Sequence, residues 1–323
     1  MIKIGERTVG CDQSVFIIAE IGINHNGSLE LAKRLIDLAL LAGCDAVKFQ
    51  KRTVSLVYTE QELVKPRQVA KDVLVNAVNR GVLSSEAKQR LINSDFENST
   101  NGDLKWALEF TKNEYAEIDY YCRGKGILWF ASCWDEESVD FTEAFDPPCY
   151  KIASPSLTDD NLLRYTRYKN RPLILSTGMS DLSMIEHAVD VLGTHDLVIL
   201  HCTSVYPQGF DSGEKILKMI NLKGITTLQN NFPDVPIGFS SNDNGIIPAF
   251  AAVAAGACMV EKHITLKRSM WGSDQASSTE PQEFMNLCRW IREFEIARGD
   301  GEIRLYPEEI EVMKKLRRKT WQL

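Results

Sequence analysis

Short apolar runs rich in β-branched residues alternate along the chain with longer stretches whose apolar positions recur every three or four residues, and this alternation predicts parallel βαβ construction. Eight strands are expected: Phe16–Gly22, Ala46–Gln50, Leu128–Ser132, Tyr150–Ala153, Leu173–Ser176, Leu197–His201, Pro236–Phe239 and Met259–Lys262. Helices are expected over Leu29–Leu41, Tyr115–Gly124, Glu136–Ala144, Asp160–Tyr168, Met184–Leu192, around Glu214–Asn221, and over Ile247–Ala255 and Gln282–Arg298. Asn26-Gly27-Ser28 reads as the cap signal that opens the first helix, which ends near Gly43. Eight such units predict an α/β fold, a (β/α)8 TIM barrel. A doubly wound open sheet is the alternative, but no Gly-x-Gly-x-x-Gly follows the first strand.

One connection breaks the pattern. Residues 51–112 are polar, carry Pro66, Gly81, Gly102 and Asn98-Ser99-Thr100-Asn101, and far exceed a usual βα loop. They read as an insertion after strand two, at the face where barrel active sites assemble, as a lid, a subunit contact or a plain excursion. The expected organisation is a barrel over residues 1–300 and a basic helical tail over 301–323 with Lys314, Lys315, Arg317, Arg318 and Lys319 as a solvated face.

The 323 residues are 44% hydrophobic and 25% charged, ordinary for a folded chain and unlike collagen or disorder. A net charge of −7 argues against a nucleic-acid footprint, which needs a concentrated basic surface. The first residues show no secretory pattern and no apolar run is long enough to span a membrane, so a cytoplasmic protein is expected. The eight scattered cysteines include no Cys-x-x-Cys pair and read as reduced packing residues.

Polar residues at the C-terminal ends of barrel strands project into the active site, and here they cluster. Glu20 ends strand one, Lys48 and Gln50 end strand two, Ser132 strand three, and Lys151 and Ser154 strand four. Ser176 ends strand five, Ser204 and Tyr206 follow strand six, Ser240 and Asn242 follow strand seven, and His263 follows strand eight. A lysine is costly to bury unless it is paired, and Lys48 and Lys151 sit in otherwise apolar strands. Either a carboxylate across the barrel, such as Glu20 for Lys48, or a bound anion answers them, with serine hydroxyls donating to the anion's oxygens. His263 reads as a metal ligand, a general acid or base, or a core histidine, and Asp274 in Gly272-Ser273-Asp274-Gln275 is placed to share its site.

Taken together, Ala19-Glu20-Ile21-Gly22-Ile23-Asn24-His25-Asn26-Gly27, Val47-Lys48-Phe49-Gln50, Lys151-Ile152-Ala153-Ser154, Ser176-Thr177-Gly178-Met179, His201-Cys202-Thr203 with Tyr206-Pro207, and Glu261-Lys262-His263 resemble the N-acetylneuraminate (sialic acid) synthase family over roughly residues 10–300. The resemblance implies condensation of phosphoenolpyruvate with an aldose, an N-acyl amino sugar or a related aldehyde, to a 2-keto-3-deoxy sugar acid, in a homodimer that uses no nucleotide cofactor. It places Lys48, Ser132, Lys151, Ser154, Ser176 and Ser240 around phosphoenolpyruvate, and Glu20, Tyr206 and Asp274 at the sugar. His263 matches one of two histidines that hold a divalent metal, normally manganese. The catalytic candidates are therefore Glu20, Lys48, Lys151 and Asp274, with Gln50, Ser204 and Asn242 among the substrate-binding ones.

Three departures bear on the sugar half. Ser240-Ser241-Asn242 stands where the family has Ser-Asp-His or Ser-Gly-His, so Asn242 replaces the second metal histidine. An amide oxygen is a poor ligand for a transition metal beside imidazole. In the related 3-deoxy-octulosonate phosphate synthases an asparagine at a ligand position accompanies a metal-independent form, so weak manganese or magnesium binding and metal-free action both stand. A glutamate common after the Lys-Ile-x-Ser motif is Ser156, and no C-terminal antifreeze-like domain is expected before Leu323. The aldehyde is thus left open, and a diverged barrel that only binds a phosphorylated or keto-acid ligand is the alternative.

Overall fold

The structure, a computed structural model, describes residues 1–205, 214–243 and 245–319. It opens with an antiparallel hairpin, β1 (Ile2–Ile4) and β2 (Arg7–Val9), too short for periodicity to reveal. Eight strands then run parallel: β3 (Phe16–Gly22), β4 (Ala46–Lys51), β5 (Leu128–Cys133), β6 (Tyr150–Ile152), β7 (Leu173–Ser176), β8 (Leu197–Thr203), β9 (Ile237–Ser241) and β10 (Met259–His263). Each pairs with the next and β10 returns to β3, closing the expected (β/α)8 barrel.

Side chains alternate along each strand between the barrel's interior and its helical coat. Phe16, Ile18, Phe130, Ile174, Val198, Leu200 and Met259 fill the interior at the N-terminal end, where Ile2, Ile4 and Val9 of the hairpin join them. Ile17, Val47, Phe49, Leu175, Ile199 and Val260 face outward under the helices. Apolar packing therefore closes the barrel below, and the polar interior positions that concern the site lie toward the C-terminal end.

Helix α1 (Leu29–Ala42) is capped by Ser28, whose hydroxyl accepts from Leu31 N, and ends at Gly43 with φ of 90°, a left-handed conformation that glycine adopts without strain. The insertion is a helical module rather than an irregular excursion: α2 (Val54–Val57), α3 (Glu60–Leu63), α4 (Lys71–Arg80), α5 (Ser85–Asn93) and α6 (Asn101–Leu108). Its small core, built on Val73, Leu74, Ala77, Leu91, Leu104 and Leu108, also takes in Ile23 and Trp271, which follow β3 and β10 and so tie it to the barrel's C-terminal face. His25 belongs to this junction. It stacks on Phe110 with ring centroids 4.2 Å apart, and burial first, then Arg80 and Arg52, push its pKa down to about 3. It is a neutral packing histidine.

The coat continues with α7 (Lys112–Lys125), α8 (Glu136–Glu143), α9 (Asp160–Tyr168) and α10 (Leu182–Leu192). The helix expected around Glu214–Asn221 is α11 (Glu214–Ile220), and an unexpected one, α12 (Lys223–Asn231), follows after Asn221 takes φ of 46°, a turn that asparagine tolerates better than most residues. Helices α13 (Ile247–Ala254) and α14 (Pro281–Ala297) complete the ring, and α15 (Pro307–Leu316) forms the tail, with no buried side chain. Strand β9 runs later than expected: Pro236 has no N–H for the ladder, whereas Ser240 and Ser241 pair with Glu261 and Lys262. Among the described residues no helix is long and apolar enough to cross a membrane.

Candidate active site

Strand register decides which side chains share a layer. Glu20 lies opposite both Lys48 and His263, Gln50 opposite Ser132, Ser132 opposite Lys151, and Ser240 opposite Glu261. These residues, with Trp134, Ser154, Ser176, Met179, Cys202, Ser204 and Asn242, line a cavity of about 300 Å³ at the C-terminal end of the barrel. Of the residues expected in the site, all those within the described chain line this cavity except Asp274; Tyr206 lies outside the described residues.

The two lysines are answered within the protein. Lys48 Nζ is 2.8 Å from Glu20 Oε2 and 3.6 Å from Glu261 Oε1, and donates to Ser132 Oγ at 2.8 Å. Lys151 Nζ donates to Ser176 Oγ at 2.6 Å and lies 3.8 Å from the same Glu261 Oε1. Of the two alternatives for Lys48, the carboxylate across the barrel is the one present, and the pair forms part of the cavity wall. When all four groups are ionised, two ammonium ions and two carboxylates leave this quartet with no net charge.

Environment separates the four. Burial pushes the Glu20 carboxyl up more strongly than Lys48 draws it down. Glu261, equally buried, is held below the usual carboxylate range because Lys151 and Lys48 both face it. Burial lowers Lys48 too, but Glu20 and Glu261 outweigh it and raise the amine. Lys151 ends below its ordinary value, because burial and the repulsion of Lys48 together exceed the pull of Glu261. Glu261 Oε2 is buried with no hydrogen-bond partner among the described residues.

The serines are set by the same geometry. Ser154 Oγ accepts from Gly178 N at 3.0 Å, and Ser204 Oγ lies 3.9 Å from Cys202 Sγ. A Cβ on Gly178 would collide with both the Ser204 and Ser154 hydroxyls, so glycine is what lets these loops meet at the cavity's edge. Gln50 Nε2 donates to Glu20 Oε1 at 3.1 Å. Asp274 stands behind the wall, its Oδ2 3.9 Å from His263 Nδ1, and that ring nitrogen is buried without a hydrogen-bond partner among the described residues.

This donor set does not fit a metal held by protein side chains. It offers one imidazole, the Asn242 amide, Asp274, which does not line the cavity, and Glu20 and Glu261, whose carboxylates are taken up by Lys48 and Lys151, and among the described residues no three His, Cys, Asp or Glu side chains gather where they could hold an ion.

Sequence reasoning missed Glu261, Trp134, Met179 and Cys202 as lining residues. Glu261 was within reach, since the two-residue period that turns His263 inward also turns Glu261 inward and Lys262 outward. Lys262 is another buried lysine, packed on the outer face of the barrel, where its Nζ lies 3.1 Å from Asp243 Oδ1 and 3.3 Å from Ser241 Oγ.

The family model described as NeuB matches residues 76–303. The chain belongs to the NeuB family. This NeuB chain is 34% identical to the N,N'-diacetyllegionaminic acid synthase of Legionella pneumophila over 97% of its own length and 82% of that protein. To the N-acetylneuraminate-9-phosphate synthase of Homo sapiens it is 33% identical, over 96% and 78%. The crystal structure of the N-acetylneuraminic acid (sialic acid) synthetase of Leptospira borgpetersenii, in complex with citrate, superposes with a TM-score of 0.75 at 30% identity, covering 98% of each chain. These relatives are named as synthases or a synthetase, and the present NeuB chain is an enzyme of the same family.

Proposed function

We propose that the protein condenses phosphoenolpyruvate with an aldose: C3 of the enol ester attacks the aldehyde carbon, water adds at C2, and phosphate leaves by C–O cleavage to give a 2-keto-3-deoxy sugar acid. The observation that carries this reading is the pair of buried lysines, each hydrogen-bonded to a serine, on the floor of a cavity at the active face of a NeuB barrel. Lys48 and Lys151 oppose the charge of the carboxylate, the phosphate and the tetrahedral centre that forms at C2, while Ser132, Ser154, Ser176 and Ser240 supply directed donors. Glu20, whose burial shifts it toward the protonated form, sits beside Gln50 on the side assigned to the aldehyde and relays the proton that the new hydroxyl requires. Ser204, Asn242 and Tyr206 are assigned to the sugar. The resemblance also supports a homodimer, and the free state of all eight cysteines adds support for the cytoplasm.

The test is phosphate release from phosphoenolpyruvate in the presence of a panel of aldoses. Aldose-dependent release with a mass-resolved keto-acid product supports the synthase; binding of phosphoenolpyruvate without release for any aldose indicates the ligand-binding barrel that the Asn242 change also allows.

No step in this scheme passes through a metal. Asn242→His, which adds an imidazole to the cavity that His263 lines, is expected to tighten manganese binding at least about tenfold, read by titration calorimetry. Equal manganese affinity in both proteins would show that Asn242 and His263 do not converge on one ion.

A further inference from the structure

Cys44 Sγ and Cys288 Sγ lie 3.9 Å apart, although 244 positions separate the two residues in the chain. Cys44 stands in the turn between α1 and β4, at the end of the barrel away from the cavity, and Cys288 on α14, which packs against α1. Both are almost wholly buried, at 7% and 2% exposure.

The approach is held from both sides. Cys44 N donates to Ala39 O at 3.0 Å, which closes the turn after Gly43, and Asp45 Oδ2 accepts from Ile17 N at 2.8 Å, which pins the next residue to β3. One turn along α14 from Cys288, Arg292 Nη2 lies 3.2 Å from the same Asp45 oxygen, and its Nη1 donates to Val15 O at 2.9 Å. An ion pair and a pair of thiols therefore run side by side between the same two segments, and the first keeps the second face to face.

A disulfide needs its sulfurs about 2 Å apart, so these fall short by a distance that side-chain rotation and a small shift of α14 supply. Burial raises the Cys44 thiol well above its ordinary value, and Cys288 and Asp45 raise it further while Arg292 draws it down. Its thiolate is therefore scarce in the closed protein, and a bulky oxidant has no route to it. The same walls shield the bond from reductant once it is made.

We propose that Cys44 and Cys288 are a dormant cross-link: when this edge of the barrel opens in the presence of a small disulfide oxidant, they join and lock α14 to the turn between α1 and β4. Cys44, the less buried of the two, attacks the oxidant's disulfide as thiolate and expels one of its thiols; the Cys288 thiolate then attacks Cys44 Sγ and expels the second. Two protein thiols are oxidised, one oxidant disulfide is reduced, and the two protons leave with the released thiols. The ring so closed takes in most of the barrel, and long rings restrict the unfolded chain most.

The experiment incubates the protein with glutathione disulfide a few degrees below its melting temperature and at about pH 8.5, close to the ordinary thiol pKa, so that the edge opens and the exposed thiols ionise. Remaining thiols are blocked with N-ethylmaleimide, and the peptides are weighed. A peptide pair joined through Cys44 and Cys288 is expected, with a melting temperature about 5 °C or more above that of the reduced protein. Cys44→Ala and Cys288→Ala should each gain nothing from the oxidant. Both thiols recovered with the maleimide attached, a bond from either one to a different cysteine in place of this pair, or a cross-linked protein that melts no higher than the reduced one would overturn the proposal.

Discussion

Lys151→Met is expected to abolish aldose-dependent phosphate release and to weaken phosphoenolpyruvate binding by about 10- to 150-fold, the equivalent of roughly 1.5–3 kcal/mol for one charge-assisted hydrogen bond. The substitution does more than remove a donor. Ser176 loses the ammonium that holds its hydroxyl, and the balanced quartet becomes an excess of one carboxylate facing an incoming anion. Glu261 keeps Lys48 3.6 Å away, so the buried carboxylate is not stranded and the fold should survive, which a melting curve can show. Lys48→Met should act in the same direction, releasing Ser132 and leaving Glu20 buried without its cation. Calorimetry reads both. An unchanged affinity in the two variants would remove phosphoenolpyruvate from the floor of the cavity.

Lys262→Met tests stability instead, because this lysine lies outside the cavity. It is expected to destabilise the protein by about 3–5 kcal/mol, since removing one partner of a buried ion pair strands the other. Lys262 Nζ lies 3.1 Å from Asp243 Oδ1, both side chains are almost wholly buried, and the same ammonium donates to the Asp243 carbonyl oxygen. Burial pulls the Lys262 amine down while Asp243 holds it up, so each group depends on the other. Adding Asp243→Asn to Lys262→Met should recover much of the loss by removing the stranded charge. Urea denaturation measures both variants, and a loss below about 1 kcal/mol in the single variant would show that the pair carries no such weight.

The contrast between these lysines explains what the sequence disclosed. All three occupy apolar strands, and a lysine in such a strand announces a partner without naming it. Lys48 and Lys151 were legible as site residues because serines end the neighbouring strands, whereas Lys262 depends on Asp243, a residue just past the end of β9 that no periodicity marks. The barrel itself was legible because a two-residue and a 3.6-residue period alternate cleanly over most of the chain. The hairpin of β1 and β2 was not, since three-residue strands carry no period, and the insertion hid its helices because their apolar stripes are short. Glu20 as the partner of Lys48 was one of two readings until the register set them side by side.

The balanced quartet also governs how a substrate arrives. A cup whose charges cancel, in a chain whose overall charge is −7, exerts no long-range pull on an anion. At physiological salt, charges more than about 8 Å from the anion are largely screened, so the rest of the chain adds little to its approach. Under the proposed function, encounter is then expected to proceed by unassisted diffusion into the mouth. Under the proposed function, retention begins at contact with the two ammonium groups, so loss of either lysine is expected to show in faster departure of the anion more than in slower capture.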